Sequence, residues 1–154
     1  MIEIPLQQRY APDSRCFGCG PANPDGLHVE SHPRDGGLVA IWTAGPNHEA
    51  FDGVLNGGIV GTLLDCHMNW TAAWHLMTER GLDHPPSCVT ADYAIRLRRP
   101  TPTDCTVELR ARVVAGEGDR VNVDGELWAD GIVTATSHGT FVAVGPDHPA
   151  FGRW

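Results

Sequence analysis

The sequence predicts an α+β fold in which a curved antiparallel β-sheet wraps around one long central helix. Residues 57–80 contain no proline and are apolar on most sides, so a helix here must be covered by other elements over most of its surface. Four later segments alternate apolar and polar residues and are rich in β-branched residues, as antiparallel strands are. These segments are 88–100, 105–115, 119–131 and 132–144.

The region before the helix is predicted to contain a hairpin and a loop. Residues 1–26 are rich in Pro, Gly, Asn and Asp, which predicts an irregular lead-in with turns. Residues 27–32 and 36–43 alternate as the two strands of a hairpin do, with turn residues at their junction. Residues 44–56 predict a long loop, and long loops in compact domains are often binding loops.

Length, charge and cysteine content restrict the class of protein. The 154 residues, 42% of them apolar, suit a single domain spanning 1–154. A net charge of -8 argues against general binding to nucleic acid or anionic membranes, because both need a cationic surface. The chain has no signal-peptide pattern and no apolar run long enough to cross a membrane, and its five cysteines fit a reducing compartment. We therefore expect a soluble cytoplasmic protein with small-molecule or protein partners.

One carboxylate interrupts an apolar part of the predicted helix. Asp65 lies within LNGGIVGTLLDCHMN, residues 55–69. A buried, unpaired carboxylate costs several kcal/mol, so it is kept only where it is compensated or used. We expect Asp65 to be a functional group; the alternative is a structural carboxylate that caps a loop or pairs with an arginine.

Three motifs, taken in order and spacing, resemble a known family. They are NGG at residues 56–58 with LD at 64–65, TADYAI at 90–95 with RP at 99–100, and CFGCGPANPDGL at 16–27. The combination resembles the hotdog-fold acyl-CoA thioesterases of the phenylacetate-degradation type, whose loop-helix motif is His-Gly-Gly followed by Leu-Asp. The resemblance implies the hotdog fold, hydrolysis of an acyl thioester, and assembly as a homodimer or a dimer of dimers.

The resemblance also assigns roles to individual residues. Asp65 corresponds to the helix carboxylate that acts as nucleophile or general base, and Gly57 to the glycine whose N–H polarises the thioester carbonyl. Thr90 corresponds to the strand hydroxyl that helps hold water or the carboxylate. Gly58 is expected to let substrate approach the backbone closely. The family's histidine is Asn56 here, so we expect no imidazole chemistry at this point and place Asn56 among the substrate-binding residues.

Helix geometry limits how Gly57 and Asp65 can cooperate. At about 1.5 Å rise per residue, their separation in sequence places them roughly 12 Å apart along a shared helix. One thioester carbon cannot contact both, so the two groups can serve one substrate only if they come from different subunits. The sequence therefore predicts at least a homodimer with active sites at the interface.

Further residues are candidate substrate contacts. Asn69, one turn after the carboxylate, bonds either to that carboxylate or substrate, or to a neighbouring strand. His48 in the predicted loop either lines the pocket or lies on the surface. Arg96 and Arg98 share a strand face, with Arg99 adjacent, and either bind the phosphates of coenzyme A or form a solvated face.

The pair Cys16 and Cys19, followed by His28 and His32, invites a zinc interpretation. A structural zinc site needs four well-placed ligands, and the gap before His28 is shorter than in zinc-finger patterns. A thioredoxin-like redox pair is also disfavoured, because no strand-to-helix context surrounds the two cysteines. We therefore expect neither a metal nor a cofactor.

These observations predict an enzyme that hydrolyses an acyl-CoA, or a related acyl thioester, to free acid and thiol. The expected partners are the acyl-CoA substrate and further copies of the same chain. The main alternative is a non-catalytic hotdog protein that binds acyl-CoA, because Asn56 replaces the family's histidine. A hydratase on the same fold would need a catalytic histidine, and His67 is rotated away from Asp65 on the predicted helix.

Overall fold

The computed structural model describes residues 3–153. The α-helices in this range are α1, Leu6–Tyr10, and α2, Gly57–Arg80. The strands are β1, His32–Arg34; β2, Gly37–Thr43; β3, Glu49–Phe51; β4, Val54–Leu55; β5, Cys88–Leu97; β6, Thr106–Glu117; β7, Arg120–Ala129; and β8, Ile132–Ala143. Apart from α1, β3 and β4, this is the predicted order of elements.

Six strands form one antiparallel sheet in the order β1-β2-β6-β7-β8-β5, and β3 pairs with β4 separately. Side chains alternate along β6 and β7, so Val107, Leu109, Val121 and Val123 are buried while their neighbours in sequence are more exposed. Helix α2 packs against β2, β5, β6, β7 and β8. A curved antiparallel sheet around one long helix confirms the predicted α+β hotdog fold.

Helix α2 is the centre of the molecule. Leu63, Leu64 and Met68 are fully buried, as a helix enclosed on most sides requires. The helix ends at Gly81, which has a left-handed backbone with φ of 62° and donates its N–H to the last turn. No helix within residues 3–153 is long and apolar enough to cross a membrane.

The predicted strand over residues 27–32 is wrong except at its last residue, where β1 begins. The backbone N–H groups of Leu27 and Val29 donate instead to the carbonyls of Phe17 and Gly18, at 2.8 and 3.0 Å. His28 has a positive φ of 56°, which a β-strand does not accommodate. The predicted loop over residues 44–56 also contains a 3₁₀ turn and the short strands β3 and β4.

The N-terminal lead-in is more ordered than predicted. Within residues 3–26 the segment Leu6–Tyr10 forms α1, and residues 1–2 of the predicted lead-in lie outside the described residues. This helix is too short to be stable alone, so its burial against the domain accounts for it. Leu6 and Gln7 are buried, and the Leu6 N–H donates to the Ser31 carbonyl at 3.0 Å.

The two edges of the six-stranded sheet differ. Edge strand β1 has three residues and contains Pro33. Edge strand β5 has ten residues and contains no proline, and its side chains from Ala91 to Ala94 are exposed. Tyr93 and Leu97 are 43% and 57% exposed, so two large apolar side chains of this strand are not covered within the chain. The chain thus presents one short edge and one long edge with exposed apolar residues.

Candidate active site

Asp65 and Thr90 form the centre of the candidate site. Thr90 Oγ1 donates a hydrogen bond to Asp65 Oδ1 at 2.8 Å, which joins α2 to the start of β5. The pairing of β5 with β8 shifts register between Thr90 and Asp92, so Ala91 is an extra residue in a β-bulge. Bulges re-aim the side chains beside them and are common near active sites. The structure therefore brings together two of the three residues predicted to be catalytic.

The surroundings of Asp65 make its carboxyl more basic. Partial burial is the largest influence and raises its pKa, because removal of water disfavours the charged form. The hydrogen bond from Thr90 and the positive charge of Arg153 lower the pKa, and the nearby Cys16 sulfur raises it. The net result is a raised pKa. A carboxylate with a raised pKa accepts a proton more readily than an exposed aspartate.

The face of α2 that carries Asp65 has glycines, and so little side-chain bulk, toward the N-terminal end of the helix. Gly57 and Gly61 precede Asp65 on this face at helical spacing. A Cβ atom at Gly57 would lie 3.1 Å from Leu97 Cδ1, and one at Gly61 would lie 3.8 Å from the Tyr93 hydroxyl. The glycines therefore let β5 lie close along this face of the helix.

Asn56 is the N-cap of α2. Its Oδ1 accepts hydrogen bonds from the N–H groups of Gly58 and Ile59, at 2.8 and 3.2 Å. This satisfies two of the first-turn donors, and it occupies the N–H of Gly58. The cap does not engage the N–H of Gly57, which is the predicted donor to the thioester oxygen. The side chain placed where the family has histidine is therefore a helix cap in this chain.

Gly57 and Asp65 lie on one uninterrupted helix. At about 1.5 Å per residue they are roughly 12 Å apart along its axis, as the sequence predicted. Within one chain, the donor at the helix start and the carboxylate paired with Thr90 are thus too far apart to contact the same thioester carbon.

Asn69 and His48 both make hydrogen bonds to the backbone of their own chain. Asn69 is 5% exposed, and its Nδ2 donates to the Cys88 carbonyl on β5 at 3.2 Å. Its Oδ1 is buried without a hydrogen-bond partner among the described residues. His48 Nδ1 accepts from the Gly45 N–H at 2.9 Å, and its ring packs against Trp42 with centroids 5.1 Å apart.

The three candidate arginines differ in their surroundings. Arg96 lies on β5, whereas Arg98 and Arg99 follow the end of that strand. Arg98 Nε donates to Thr136 Oγ1 on β8 at 3.0 Å, so this side chain is tied to the sheet. All three side chains are exposed. Arg96 and Arg98 were predicted to share a strand face, but only Arg96 lies on β5.

The histidine on α2 is part of the core. His67 is fully buried between Ser31 Oγ, 2.8 Å from its Nδ1, and the Leu38 carbonyl, 3.0 Å from its Nε2. Burial lowers its pKa to about 4, so the ring is neutral. Its N–H donates to the carbonyl of Leu38 and its other nitrogen accepts from Ser31. As predicted from the sequence, this ring does not share a site with Asp65.

Sequence reasoning missed two groups near Asp65. Arg153 follows the last strand, and its Nη1 donates to the Cys88 carbonyl at 3.3 Å. No local pattern links this arginine to α2, so only the tertiary structure reveals it. Cys66, next to Asp65, points to a different partner, with its sulfur 3.8 Å from that of Cys16.

The predicted zinc candidates separate in the structure. The sulfurs of Cys16, Cys19 and Cys66 lie within 4.8 Å of one another. His28 and His32 are not in that group; the His28 ring donates to the Asn23 carbonyl instead. A metal could thus be held by three cysteines, one of which comes from α2.

A large cleft of about 690 Å³ lies elsewhere, across β1, β2, β6, β7 and β8. Its charged lining includes Arg34, Arg110, Arg112, Asp124 and Glu126. None of the residues predicted to bind substrate lines it. This cleft is therefore separate from the candidate site.

Comparison with known families extends the sequence resemblance. A family model described as the thioesterase superfamily matches residues 52–136, more than half of the chain. The match includes Gly57, Asp65 and Thr90 and stops before the C-terminal segment. No curated protein matches the chain.

Solved structures are similar over most of their length. A thioesterase superfamily protein from Shewanella loihica PV-4 is 27% identical, with a TM-score of 0.65, over 76% of this chain and 91% of that one. A phenylacetic acid degradation-related protein from Ralstonia eutropha JMP134 is 25% identical, with a TM-score of 0.65, over 84% and 95%. A Bacillus halodurans protein solved with CoA is 26% identical, with a TM-score of 0.62, over 77% and 76%.

Proposed function

Because the chain belongs to the thioesterase superfamily, we propose that it hydrolyses an acyl-CoA or related acyl thioester at a site containing Asp65. The observation that carries this proposal is the half-buried Asp65 carboxylate, held by Thr90 and made more basic by burial. Burial of a carboxylate on the central helix lowers the stability of the fold, so its presence there points to a functional role.

Asp65 can act by two routes. As a nucleophile, its carboxylate attacks the thioester carbon, the C–S bond breaks, and the thiolate leaves and takes up a proton; water then hydrolyses the anhydride. As a general base, Asp65 takes a proton from a water molecule that attacks the same carbon, and the thiol leaves with a proton. A single turnover in ¹⁸O-labelled water separates the routes, because only the nucleophilic route can place an Asp65 oxygen in the acid product.

The Gly57 N–H is the proposed donor to the thioester oxygen. It lies in the first turn of α2, where the helix dipole also favours developing negative charge. Since about 12 Å of helix separates it from Asp65, the donor for each site comes from a second subunit. The long exposed edge of β5, which runs beside this face of α2, is the surface proposed for that pairing.

Coenzyme A is the proposed thiol part of the substrate. Arg96 and Arg99 are exposed near β5 and carry the charge that phosphates require. Arg98 is expected to contribute less, because Thr136 already accepts its Nε–H. One of the similar structures was solved with CoA, which supports this choice.

The first test measures free-thiol release from short, medium, long and aromatic acyl-CoAs. Parent protein and Asp65→Asn are assayed side by side, since asparagine keeps the shape but is neither base nor nucleophile. Turnover of one class that falls by about 10²-fold or more in the variant is the expected result. Turnover that survives in Asp65→Asn contradicts the assigned role of this carboxylate.

Mixing two inactive variants tests the shared site. Gly57→Pro removes one N–H but fits the first helical position, and Asp65→Asn removes the carboxylate. If each site combines Gly57 of one subunit with Asp65 of the other, a hybrid dimer keeps one intact site. Random mixing then restores about a quarter of the parent activity. No recovery, with hybrids shown by mass spectrometry of intact dimers, places both groups in one subunit.

A second candidate function rests on Asn56. Its side chain caps α2 where the family has histidine, so a non-catalytic acyl-CoA-binding protein is the alternative. This alternative predicts calorimetric binding of acyl-CoA that is equal in parent protein and Asp65→Asn, with no thiol released by either.

A further inference from the structure

Three cysteine sulfurs meet where the N-terminal segment crosses α2. The sulfurs of Cys16, Cys19 and Cys66 lie within 4.8 Å of one another, and those of Cys16 and Cys66 are 3.8 Å apart. In a tetrahedral zinc site with Zn–S bonds of about 2.3 Å, neighbouring sulfurs are about 3.8 Å apart. The cluster thus already has nearly the dimensions of a metal site.

The backbone of residues 16–20 is shaped for this approach. The Gly20 N–H donates to the Cys16 carbonyl at 2.8 Å, and a Cβ atom at Gly20 would lie 2.4 Å from the Cys16 nitrogen. A Cβ atom at Gly18 would lie 2.3 Å from the Cys66 sulfur. Both glycines therefore allow contacts that any larger residue would prevent: Gly20 closes the turn, and Gly18 lets it rest on Cys66.

Hydrogen-bond donors surround the sulfurs, as they do in metal–thiolate sites. The Trp70 indole N–H donates to the Cys19 sulfur at 3.4 Å, from one turn beyond Cys66 on α2. The backbone N–H groups of Gly18 and Cys19 also lie near the Cys16 sulfur. The metal ligand in such a site is the thiolate, which these donors can stabilise.

We infer that Cys16, Cys19 and Cys66 bind a thiophilic metal ion, Zn²⁺, and so fasten the N-terminal segment to α2 beside Asp65. Thiolate sulfur selects soft and borderline ions such as zinc over magnesium or calcium. Three sulfurs leave the fourth tetrahedral position for water or a small ligand. Cys16 and Cys66 are partly exposed and Cys19 is buried, so an ion can enter from the solvent side.

The sequence predicted no metal here. The possible ligands close to Cys16 and Cys19 in sequence are His28 and His32, which lie outside the cluster. The third ligand is Cys66, which stands 50 positions from Cys16. It meets the pair only because the lead-in packs against the central helix.

The test uses the full-length reduced protein, stripped of metal and kept without oxygen. Co²⁺ is titrated first, because thiolate ligands give it intense charge-transfer absorption, and Zn²⁺ then displaces it in competition with a chromophoric chelator. The expected result is one ion per chain, with a higher Tm for the zinc-loaded protein. No uptake by the reduced parent protein overturns the inference.

Cys16→Ser and Cys105→Ser form a matched pair of variants. Cys16 and Cys105 are both partly exposed, and Cys105 lies outside the cluster. Loss of a residue that only supports a ligand weakens metal binding by about 10- to 100-fold, so loss of the Cys16 sulfur should weaken zinc binding by more than about 100-fold. Cys105→Ser should bind zinc like the parent. Equal binding by Cys16→Ser contradicts the site.

Alkylation locates the ion without any substitution. Zinc is expected to protect the partly exposed Cys16 and Cys66 from iodoacetamide, as mapped by peptide mass spectrometry, while Cys105 reacts equally with and without zinc. Equal labelling of Cys16 and Cys66 in both states overturns the inference. So does a reduced protein that takes up no zinc but forms a Cys16–Cys66 disulfide on oxidation, because the cluster is then a redox pair.

Discussion

Asp65 and Cys66 are neighbours in sequence but face different parts of the molecule. Asp65 turns to β5, where it meets one hydroxyl, that of Thr90. Cys66 turns to the N-terminal turn, where the sulfur of Cys16 lies 3.8 Å away and the backbone of Gly18 presses on it. One face of α2 is thus left accessible beside an edge strand, and the next is packed by another segment.

The two faces of α2 therefore differ in role. The face with Asp65 carries the proposed reactive group, and the face with Cys66 packs against the N-terminal segment. The pKa of Asp65 is raised mainly by burial, so its charge is only partly compensated and the carboxylate keeps its basicity. Cys66 has two further sulfurs around it, and donating to them raises the pKa of its thiol well above the usual range. Substitutions on the two faces should therefore affect different properties, and their effects are taken below from largest to smallest.

The largest effect is expected at Gly57. Gly57→Pro removes the proposed donor without disturbing the backbone, since Asn56 is already extended with ψ of 133°. Loss of one such donor lowers kcat by about 10²- to 10³-fold. Gly57→Ala is the control, because it adds a Cβ atom near Leu97 and keeps the N–H. Equal kcat values in the two variants rule out the N–H as the donor.

Gly18→Ala should reduce stability on the other face. Its Cβ atom would lie 2.3 Å from the Cys66 sulfur and 2.9 Å from Thr62 Cγ2, so the turn must move away from α2. Overpacking of this kind lowers the free energy of unfolding by about 1–3 kcal/mol. Denaturant titration measures it. Gly145→Ala is a control with open space around the added atom, and an equal loss there would refute the packing argument.

Thr90→Val should shift the pH dependence of the reaction. Hydrolysis requires ionised Asp65, so the rate rises with pH through the Asp65 pKa. The Thr90 hydrogen bond lowers that pKa, so its removal should move the acid limb of the kcat/KM profile to higher pH. Thr90→Ser keeps the hydroxyl and should retain the parent profile. If the acid limb of Thr90→Val lies at the same pH as that of the parent, the Thr90 hydroxyl does not influence the pKa of Asp65.

Asp65→Asn should slightly raise thermal stability at neutral pH. The folded-state pKa of Asp65 lies above its unfolded value, so folding favours the protonated form. The carboxylate therefore destabilises the fold increasingly as pH rises between the two pKa values, and fully above them. Asparagine lacks this charge and can still accept from Thr90. The expected rise in Tm over the parent appears at neutral pH and shrinks toward acid pH; a fall in Tm contradicts it.

The main elements could be predicted because their signals are local. Helix α2 begins and ends at the predicted residues, since Gly81 provides a left-handed stop and the segment before it contains no proline and is apolar on most sides. Strands β6 to β8 follow from alternation. The prediction of a strand at 27–32 was wrong because alternation does not show which segment the backbone pairs with. This backbone hydrogen-bonds to Phe17 and Gly18. Helix α1 was missed because burial of Leu6, and not propensity, stabilises it.

The candidate site divides in the same way. Asp65 could be found because a lone carboxylate in an apolar helix stands out, and the Thr90 contact followed from a motif. The bulge at Ala91 that accompanies the contact leaves no pattern in the sequence. Arg153 and Cys66 join their partners from distant parts of the chain, so only the three-dimensional structure brings them together. The hydrogen bonds by which Asn56 caps α2 are likewise seen only in the three-dimensional structure.

The unequal sheet edges also limit assembly by strand addition. In the proposed pairing through β5, the joined sheet would have β1 at both outer ends. Each of these ends is three residues long and contains Pro33, which cannot donate to a further strand. Edge addition would then stop after two chains and give a closed pair instead of an open fibre.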